Sequence, residues 1–124
     1  LRHLEPQVLE RTEFRFVRAA SYRNTDRGPL TISGIPQDLE DADVLVVEDI
    51  VDTGFTLHDV TRATATFKPA TLRVATLLNK PSGRVHDVEI DYVALEVENL
   101  FVVGYGLDYN EQFRCLRFIG ALPL

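Results

Sequence analysis

The chain has 124 residues, a formal net charge of -6 and a sequence pI of about 5.0, and this length predicts one domain. The acidic balance argues against binding to nucleic acid, which normally needs a basic surface, and a single cysteine excludes an internal disulfide and a cysteine-based zinc site. Since no apolar stretch is long enough for a membrane span and no leader pattern is visible, we expect a cytoplasmic protein that contacts neither membrane nor nucleic acid.

The N-terminal region predicts a helix end followed by a strand. Apolar residues at positions 1, 4, 8 and 9 have the spacing either of the last turns of a helix that Pro6 interrupts or of a helix tail followed by a loop. Residues 14–20 predict a strand, because the large apolar side chains of Phe14 and Phe16 alternate with charge.

A polar segment comes next. Residues 21–28 have the composition of a mobile loop, and residues 30–32 have the composition of the returning arm of a hairpin. Residues 34–43 then predict a surface connection that contains Pro36.

The most informative segment starts with the apolar run 44–47, which predicts a buried parallel strand. Two carboxylates, Glu48 and Asp49, are expected at the end of that strand, and a turn of residues 52–56 opens a helix. Open α/β sheets bind ligands at the carboxyl ends of their strands, and a helix N-terminus offers N–H groups and a favourable dipole to a phosphate. The segment therefore predicts a site for a phosphorylated sugar.

The residue types of this segment suit that ligand. Thr53 and Thr56 supply hydroxyls, and Gly54 lets the backbone approach an anion. Ionised Glu48 and Asp49 only accept hydrogen bonds, so they suit ribose hydroxyls or the waters around Mg²⁺. A lone Asp-Thr-Gly is more often an ordinary helix N-cap, and only the whole pattern favours a functional site.

The rest of the sheet follows. A short helix is predicted by side chains at helical spacing, Leu57, Val60, Thr64 and Phe67, and Pro69 ends it. Residues 72–78 and 91–96 predict two further strands. Strand, helix and strand in this order imply a right-handed crossover and a parallel sheet, and hence an α/β fold.

Lys80 follows the predicted strand 72–78, so it should lie at the same sheet edge as Glu48 and Asp49. There it can donate to a ligand oxygen. Lysines just after strands are more often solvated surface charges, and the position alone leaves both interpretations open.

Residues 101–109 combine an aromatic ring, two glycines and an acid. Phe101 either packs in the core or stacks on a planar ring whose edge meets the backbone near Val102. Asp108 is a candidate for an acidic metal site. Arg114 is either a surface arginine or a ligand for a leaving phosphate.

With these residues assembled, the chain resembles the type I phosphoribosyltransferases, and specifically the hypoxanthine-guanine phosphoribosyltransferase family. Residues 44–57 are similar to the family's phosphoribosyl pyrophosphate motif and residues 77–80 to its purine-discriminating lysine segment. Residues 101–114 are similar to its purine-binding and C-terminal signature. The resemblance extends from about residue 14 to residue 120.

The resemblance implies a three-layer, Rossmann-like fold with a mostly parallel sheet, and one phosphoribosyltransferase domain over residues 1–124. Residues 21–33 correspond to the mobile loop that covers the family's active site. The first core strand, which ends in a pyrophosphate-binding lysine-glycine loop, is missing from the N-terminal side. By analogy it belongs between residues 14–20 and 44–47, so its absence should leave two apolar strand edges unpaired.

The resemblance also implies roles on the sugar side of the site. Glu48 and Asp49 hold the ribose hydroxyls and the Mg²⁺ shell. Asp52 lies beside purine N7 as the catalytic proton acceptor. The 5′-phosphate is enclosed by Asp52 and the residues after it, Thr53, Gly54, Phe55 and Thr56.

On the purine side, the resemblance implies that Lys80 donates to the 6-oxo group, which selects hypoxanthine or guanine over adenine. Phe101 stacks on the purine, and Val102 meets its edge through the backbone. Asp108 takes part in purine binding and in the metal or pyrophosphate site, and Arg114 contacts pyrophosphate.

The function implied is purine salvage. Phosphoribosyl passes from 5-phosphoribosyl 1-pyrophosphate to hypoxanthine or guanine, with Mg²⁺ as cofactor, and gives IMP or GMP plus pyrophosphate. Relatives form dimers and tetramers, so a homodimer or homotetramer is expected. The second hypothesis is a catalytically inactive, nucleotide-binding or regulatory module of the same fold.

Overall fold

The computed structural model describes residues 3–20 and 30–123. In chain order the elements are α1 (Pro6–Leu9), β1 (Arg18–Ala20), β2 (Thr31–Ser33), β3 (Asp43–Val51), α2 (Phe55–Ala65), β4 (Thr71–Asn79), a 3₁₀ turn (Pro81–Gly83), β5 (Tyr92–Glu96), β6 (Phe101–Val103) and β7 (Gly120–Leu122). No helix in these two stretches is long and apolar enough to cross a membrane.

A parallel sheet of three strands, in the order β3-β4-β5, organises the molecule. Strands β3 and β4 pair from Asp43 and Thr71 at one end to Val51 and Asn79 at the other. The α2 helix connects them, so the predicted strand-helix-strand unit and the α/β fold with a parallel sheet are confirmed. Two antiparallel pairs, β1-β2 and β6-β7, complete the described strands.

The core lies where α2 packs on this sheet. Val51, Leu57 and Val74 form a buried cluster, with Val46 and Val88 among the partly buried side chains packed against it. Full burial of a valine or leucine side chain stabilises a fold by about 1.5–3 kcal/mol, so this small cluster holds the helix on the strands. The helical periodicity seen in the sequence marked the buried face of α2 correctly at Leu57, Val60 and Thr64, but the prediction that the helix continues through Phe67 is wrong, because α2 ends at Ala65.

Two N-terminal predictions need correction. Pro6 does not interrupt a helix but occupies the first turn of α1, where its missing N–H costs no hydrogen bond. The strand predicted over residues 14–20 is reduced to β1, because β2 supplies only three partner residues. Phe16, predicted within that strand, is 94% exposed. The predicted hairpin arm is confirmed as β2, whereas residues 21–29 of the predicted loop 21–33 lie outside the described residues.

The strand that carries the acidic residues is longer than predicted. Glu48 and Asp49 lie inside β3, not after it, because the ladder with β4 continues to Val51. Among the described residues β3 has a strand neighbour on one side only, and Leu45 and Val47 are 52% and 71% exposed. The predicted parallel strand at residues 44–47 is therefore confirmed, but the prediction that it is buried is wrong at these two positions.

Candidate functional site

The residues predicted for the sugar and its phosphate share one cavity of about 230 Å³. Its lining is the continuous segment 48–57, which comprises the end of β3, the turn after it and the start of α2. The structure therefore brings Glu48, Asp49, Asp52 and the hydroxyl-glycine turn together at the carboxyl end of β3.

The turn depends on Gly54. Its φ is +86°, a conformation that glycine adopts readily, and a Cβ there would lie 2.6 Å from the carbonyl oxygen of His86. Gly54 is the N-cap of α2, and because it has no side chain it cannot cap the helix as a serine or aspartate would. The backbone N–H groups of Thr56 and Leu57 precede the first intrahelical bond, from His58 to Gly54, so this end of α2 has donors that suit an anion.

A second segment, residues 80–86, holds this turn from the side. The carbonyl oxygen of Thr53 accepts hydrogen bonds from the backbone N–H groups of Val85 and His86, both at 2.9 Å. The N–H of Lys80 donates to the carbonyl oxygen of Val51, also at 2.9 Å. The shape of the turn is thus set by a segment that lies far from it in sequence.

Asp52 and Lys80 meet between these two segments. The Lys80 Nζ lies 3.3 Å from the Asp52 Oδ2, and the two side chains are 6% and 46% exposed, respectively. A buried ammonium needs a partner, and Asp52 supplies it. The pair presents a proton acceptor beside a donor, which is complementary to a planar ring that carries an N–H and a carbonyl on neighbouring edges.

Sequence reasoning missed the residues that support this pair. A Cβ on Gly83 would lie 2.3 Å from the Asp52 Oδ1, so Asp52 packs directly on the 3₁₀ turn. The guanidinium of Arg84 donates to the side-chain oxygen of Asn79, which is buried at the end of β4. The sequence did not predict these contacts, because each of them joins residues from different elements of the fold.

Glu48 and Asp49 have the chemistry of a divalent cation site. Burial, and then the negative charge of Asp49, raise the pKa of Glu48 above its ordinary value. A cation beside the two carboxylates would relieve both effects. Since Mg²⁺ commonly takes one or two protein carboxylates plus substrate phosphates, this pair fits it.

The C-terminal residues form a second cluster. The rings of Phe101 and Tyr109 are 5.3 Å apart between centroids, at 82°. The Asp108 Oδ1 pairs with Arg114 Nη2 at 2.8 Å, and its Oδ2 accepts the N–H of Glu111 at 2.8 Å. Val102 lies in β6, opposite Ala121.

These contacts concern the prediction, made from the resemblance, that Asp108 joins Glu48 and Asp49 in a metal site. Within residues 3–20 and 30–123, no three His, Cys, Asp or Glu side chains are arranged to hold a metal ion. Asp108 is therefore not clustered with Glu48 and Asp49, and its oxygens are taken by Arg114 and Glu111. Arg114, predicted to contact pyrophosphate, also donates to the carbonyl oxygen of Gly106.

Comparison with known proteins gives consistent matches. Residues 2–110 match the family described as "Phosphoribosyl transferase domain". The hypoxanthine-guanine phosphoribosyltransferase of Mycobacterium avium is 45% identical over 114 residues, which cover 90% of this chain and 56% of that protein. The enzyme of the same name from Streptococcus pneumoniae strain R6 is 39% identical over 125 residues, covering 98% of this chain and 67% of that protein.

Solved structures agree. A hypoxanthine phosphoribosyltransferase from Staphylococcus aureus superimposes with a TM-score of 0.80 at 38% identity, over 88% of this chain and 61% of that one. The Trypanosoma cruzi enzyme in complex with the product IMP gives 0.78 at 39% identity, over 88% and 59%. The chain spans between about half and two thirds of the length of the relatives it matches. Because sequence and fold agree along most of its length, this chain belongs to the hypoxanthine-guanine phosphoribosyltransferase family of type I phosphoribosyltransferases.

Proposed function

We propose that this chain carries the purine-salvage site of a phosphoribosyltransferase. The reaction joins N9 of hypoxanthine or guanine to C1 of the ribose of 5-phosphoribosyl 1-pyrophosphate and breaks the bond from C1 to pyrophosphate, giving IMP or GMP. The observation that carries the proposal is the Asp52–Lys80 pair, 3.3 Å apart at the edge of the sheet. Membership of the family and the names of the matched relatives support it.

The pair accounts for the choice of base. Lys80 has only donors, so it bonds to a 6-oxo group and not to the 6-amino group of adenine. Asp52 accepts the proton at N7 as the new bond at N9 forms. Phe101 stacks on the purine, and Val102 meets its edge through the backbone.

The sugar lies over the cavity formed by residues 48–57. The turn donates to the 5′-phosphate through the hydroxyls of Thr53 and Thr56 and the backbone N–H groups of Thr56 and Leu57. Glu48 and Asp49 accept hydrogen bonds from the ribose hydroxyls and hold Mg²⁺. When bound, Mg²⁺ offsets the negative charge of the departing pyrophosphate.

Further parts of the chain contribute in this proposal. Arg114 donates to pyrophosphate from its place beside Asp108, which borders the purine site. Residues 1–124 form one phosphoribosyltransferase domain, and the loop 21–33 closes over the bound substrates to exclude water. The protein works in the cytoplasm as a homodimer or homotetramer.

The test is a spectrophotometric assay with phosphoribosyl pyrophosphate, Mg²⁺ and each of hypoxanthine, guanine, xanthine and adenine. We expect turnover of a 6-oxopurine, and a fall in kcat of about 10²- to 10⁴-fold in Asp52→Asn, because a positioned base contributes about that factor. Lys80→Met should reduce the preference for 6-oxopurines over adenine.

Binding measurements with IMP complete the test. Turnover that Asp52→Asn leaves unchanged would contradict the assigned role of Asp52. A chain that binds IMP but turns over no base would instead support a nucleotide-binding or regulatory module.

A further inference from the structure

Tyr109 contacts Phe101, the residue proposed to stack on the purine. Its ring meets that of Phe101 at 82° with centroids 5.3 Å apart, the edge-to-face geometry that aromatic pairs prefer. Phe101 is 39% exposed, so part of its ring remains open to a ligand.

The backbone that carries Tyr109 is held in a tight turn. The N–H of Tyr109 donates to the carbonyl oxygen of Gln112 at 3.2 Å, and the N–H of Gln112 donates back at 3.0 Å. Between them Asn110 and Glu111 have φ values of +49° and +64°, the positive values of a type I′ turn. The Asp108 carboxylate accepts the N–H of Glu111 and adds a further bond to the turn.

We infer that Tyr109 is a positioning residue, whose ring packs against that of Phe101 and fixes its plane so that the exposed part of the Phe101 ring receives the purine. This inference rests on the proposed function, because it gives Phe101 a purine to receive. Phe101 is anchored on one side by the β6-β7 pairing, opposite Leu122. Tyr109 packs against its ring, so less side-chain freedom is lost when the base binds.

The inference predicts an effect on base affinity. The free energy of an edge-to-face aromatic contact corresponds to about a two- to tenfold change in an equilibrium constant. Tyr109→Leu should therefore raise KM for hypoxanthine about two- to tenfold. The kcat and the KM for phosphoribosyl pyrophosphate should change less than about twofold, because neither depends on the plane of Phe101.

Two further variants separate positioning from damage to the loop. Tyr109→Phe keeps the aromatic ring and should retain the wild-type KM for hypoxanthine. Tyr105→Leu is the matched control, because Tyr105 lies in the same segment with a φ of +56° and is 69% exposed. It should leave both KM values unchanged.

A measurement without substrate tests the contact directly. Two packed aromatic rings shift each other's proton resonances through their ring currents, and we expect the ring-proton resonances of Phe101 to move in Tyr109→Leu and to keep their wild-type shifts in Tyr109→Phe. Phe101 resonances that keep their wild-type shifts in Tyr109→Leu would overturn the inference, as would equal KM values for Tyr109→Leu and wild type or equal losses for the Phe and Leu variants. If wild type neither turns over a purine nor binds IMP, the proposed function fails, and the inference fails with it.

Discussion

At the scale of single residues, the site is organised by a buried cation. Lys80 is 5% exposed, and its ammonium faces one carboxylate. Removing the partner of a buried charge is destabilising, because that charge, here the Lys80 ammonium, is then left without compensation. The position of Asp52 is therefore coupled to the stability of the fold as well as to the proposed proton transfer.

Glu48 predicts a pH-dependent effect. Its pKa in the folded state is raised, first by burial and then by Asp49, so its ionised form costs stability. That cost is absent below its ordinary value of 4.5 and develops as the pH rises through the raised value. Glu48→Gln should therefore raise Tm at about pH 7 in metal-free buffer and leave it unchanged at about pH 4.

Thermal melts at both pH values test this, with Glu40→Gln as the control because Glu40 is exposed. A gain of the same size at both pH values would show that charge is not the cause.

At the scale of elements, the turn at residues 52–56 and the segment 80–86 form one unit. They are joined by the bonds to Thr53, by the Asp52–Lys80 pair and by the rings of Phe55 and His86, whose centroids are 3.9 Å apart. The proposed phosphate and purine contacts therefore share one support, and a change in the turn should be transmitted to Lys80.

Gly54→Ala tests this unit. Alanine at a φ of +86° is strained, and its Cβ would meet a backbone oxygen at 2.6 Å that cannot move alone. We expect the free energy of unfolding to fall by about 1–3 kcal/mol in urea titrations. Gly120→Ala is the control, because the nearest atom to its Cβ is 3.4 Å away, on the Phe118 ring. Equal midpoints for the two variants would refute the argument.

At the scale of the whole molecule, the parallel sheet has an open side in the part of the chain that is described. Strand β3 pairs with β4 alone, and its exposed valine, Val47, is 71% accessible. Unpaired strand edges with apolar side chains promote association with other chains, and an edge lysine opposes it.

Val47→Lys should therefore reduce concentration-dependent association, measured by light scattering, without changing the circular dichroism spectrum. Val85→Lys provides the comparison, because Val85 is also exposed, at 59%, but lies outside the sheet. If both lysine variants reduce association equally, added charge and not the open strand explains the effect.

Local patterns in the sequence determined the elements near the site. The apolar runs at residues 44–47 and 72–78 and the spacing from Leu57 to Thr64 each mark a strand or a helix, because side-chain periodicity follows backbone geometry. The turn at residues 52–56 was also recognisable from the sequence, because its hydrogen-bond donors are neighbours in the chain.

The sequence predicted that Lys80 lies at the same sheet edge as Glu48 and Asp49, but only the tertiary structure decided which distant side chains touch. Asp52 and Lys80 are 28 positions apart, and they come together because β3 and β4 pair in parallel register. The extension of β3 past Glu48 and the reduction of β1 to three residues were likewise set by the length of the partner strand. Pairing and packing depend on what lies across the sheet, and that information is not contained in any one segment of the chain.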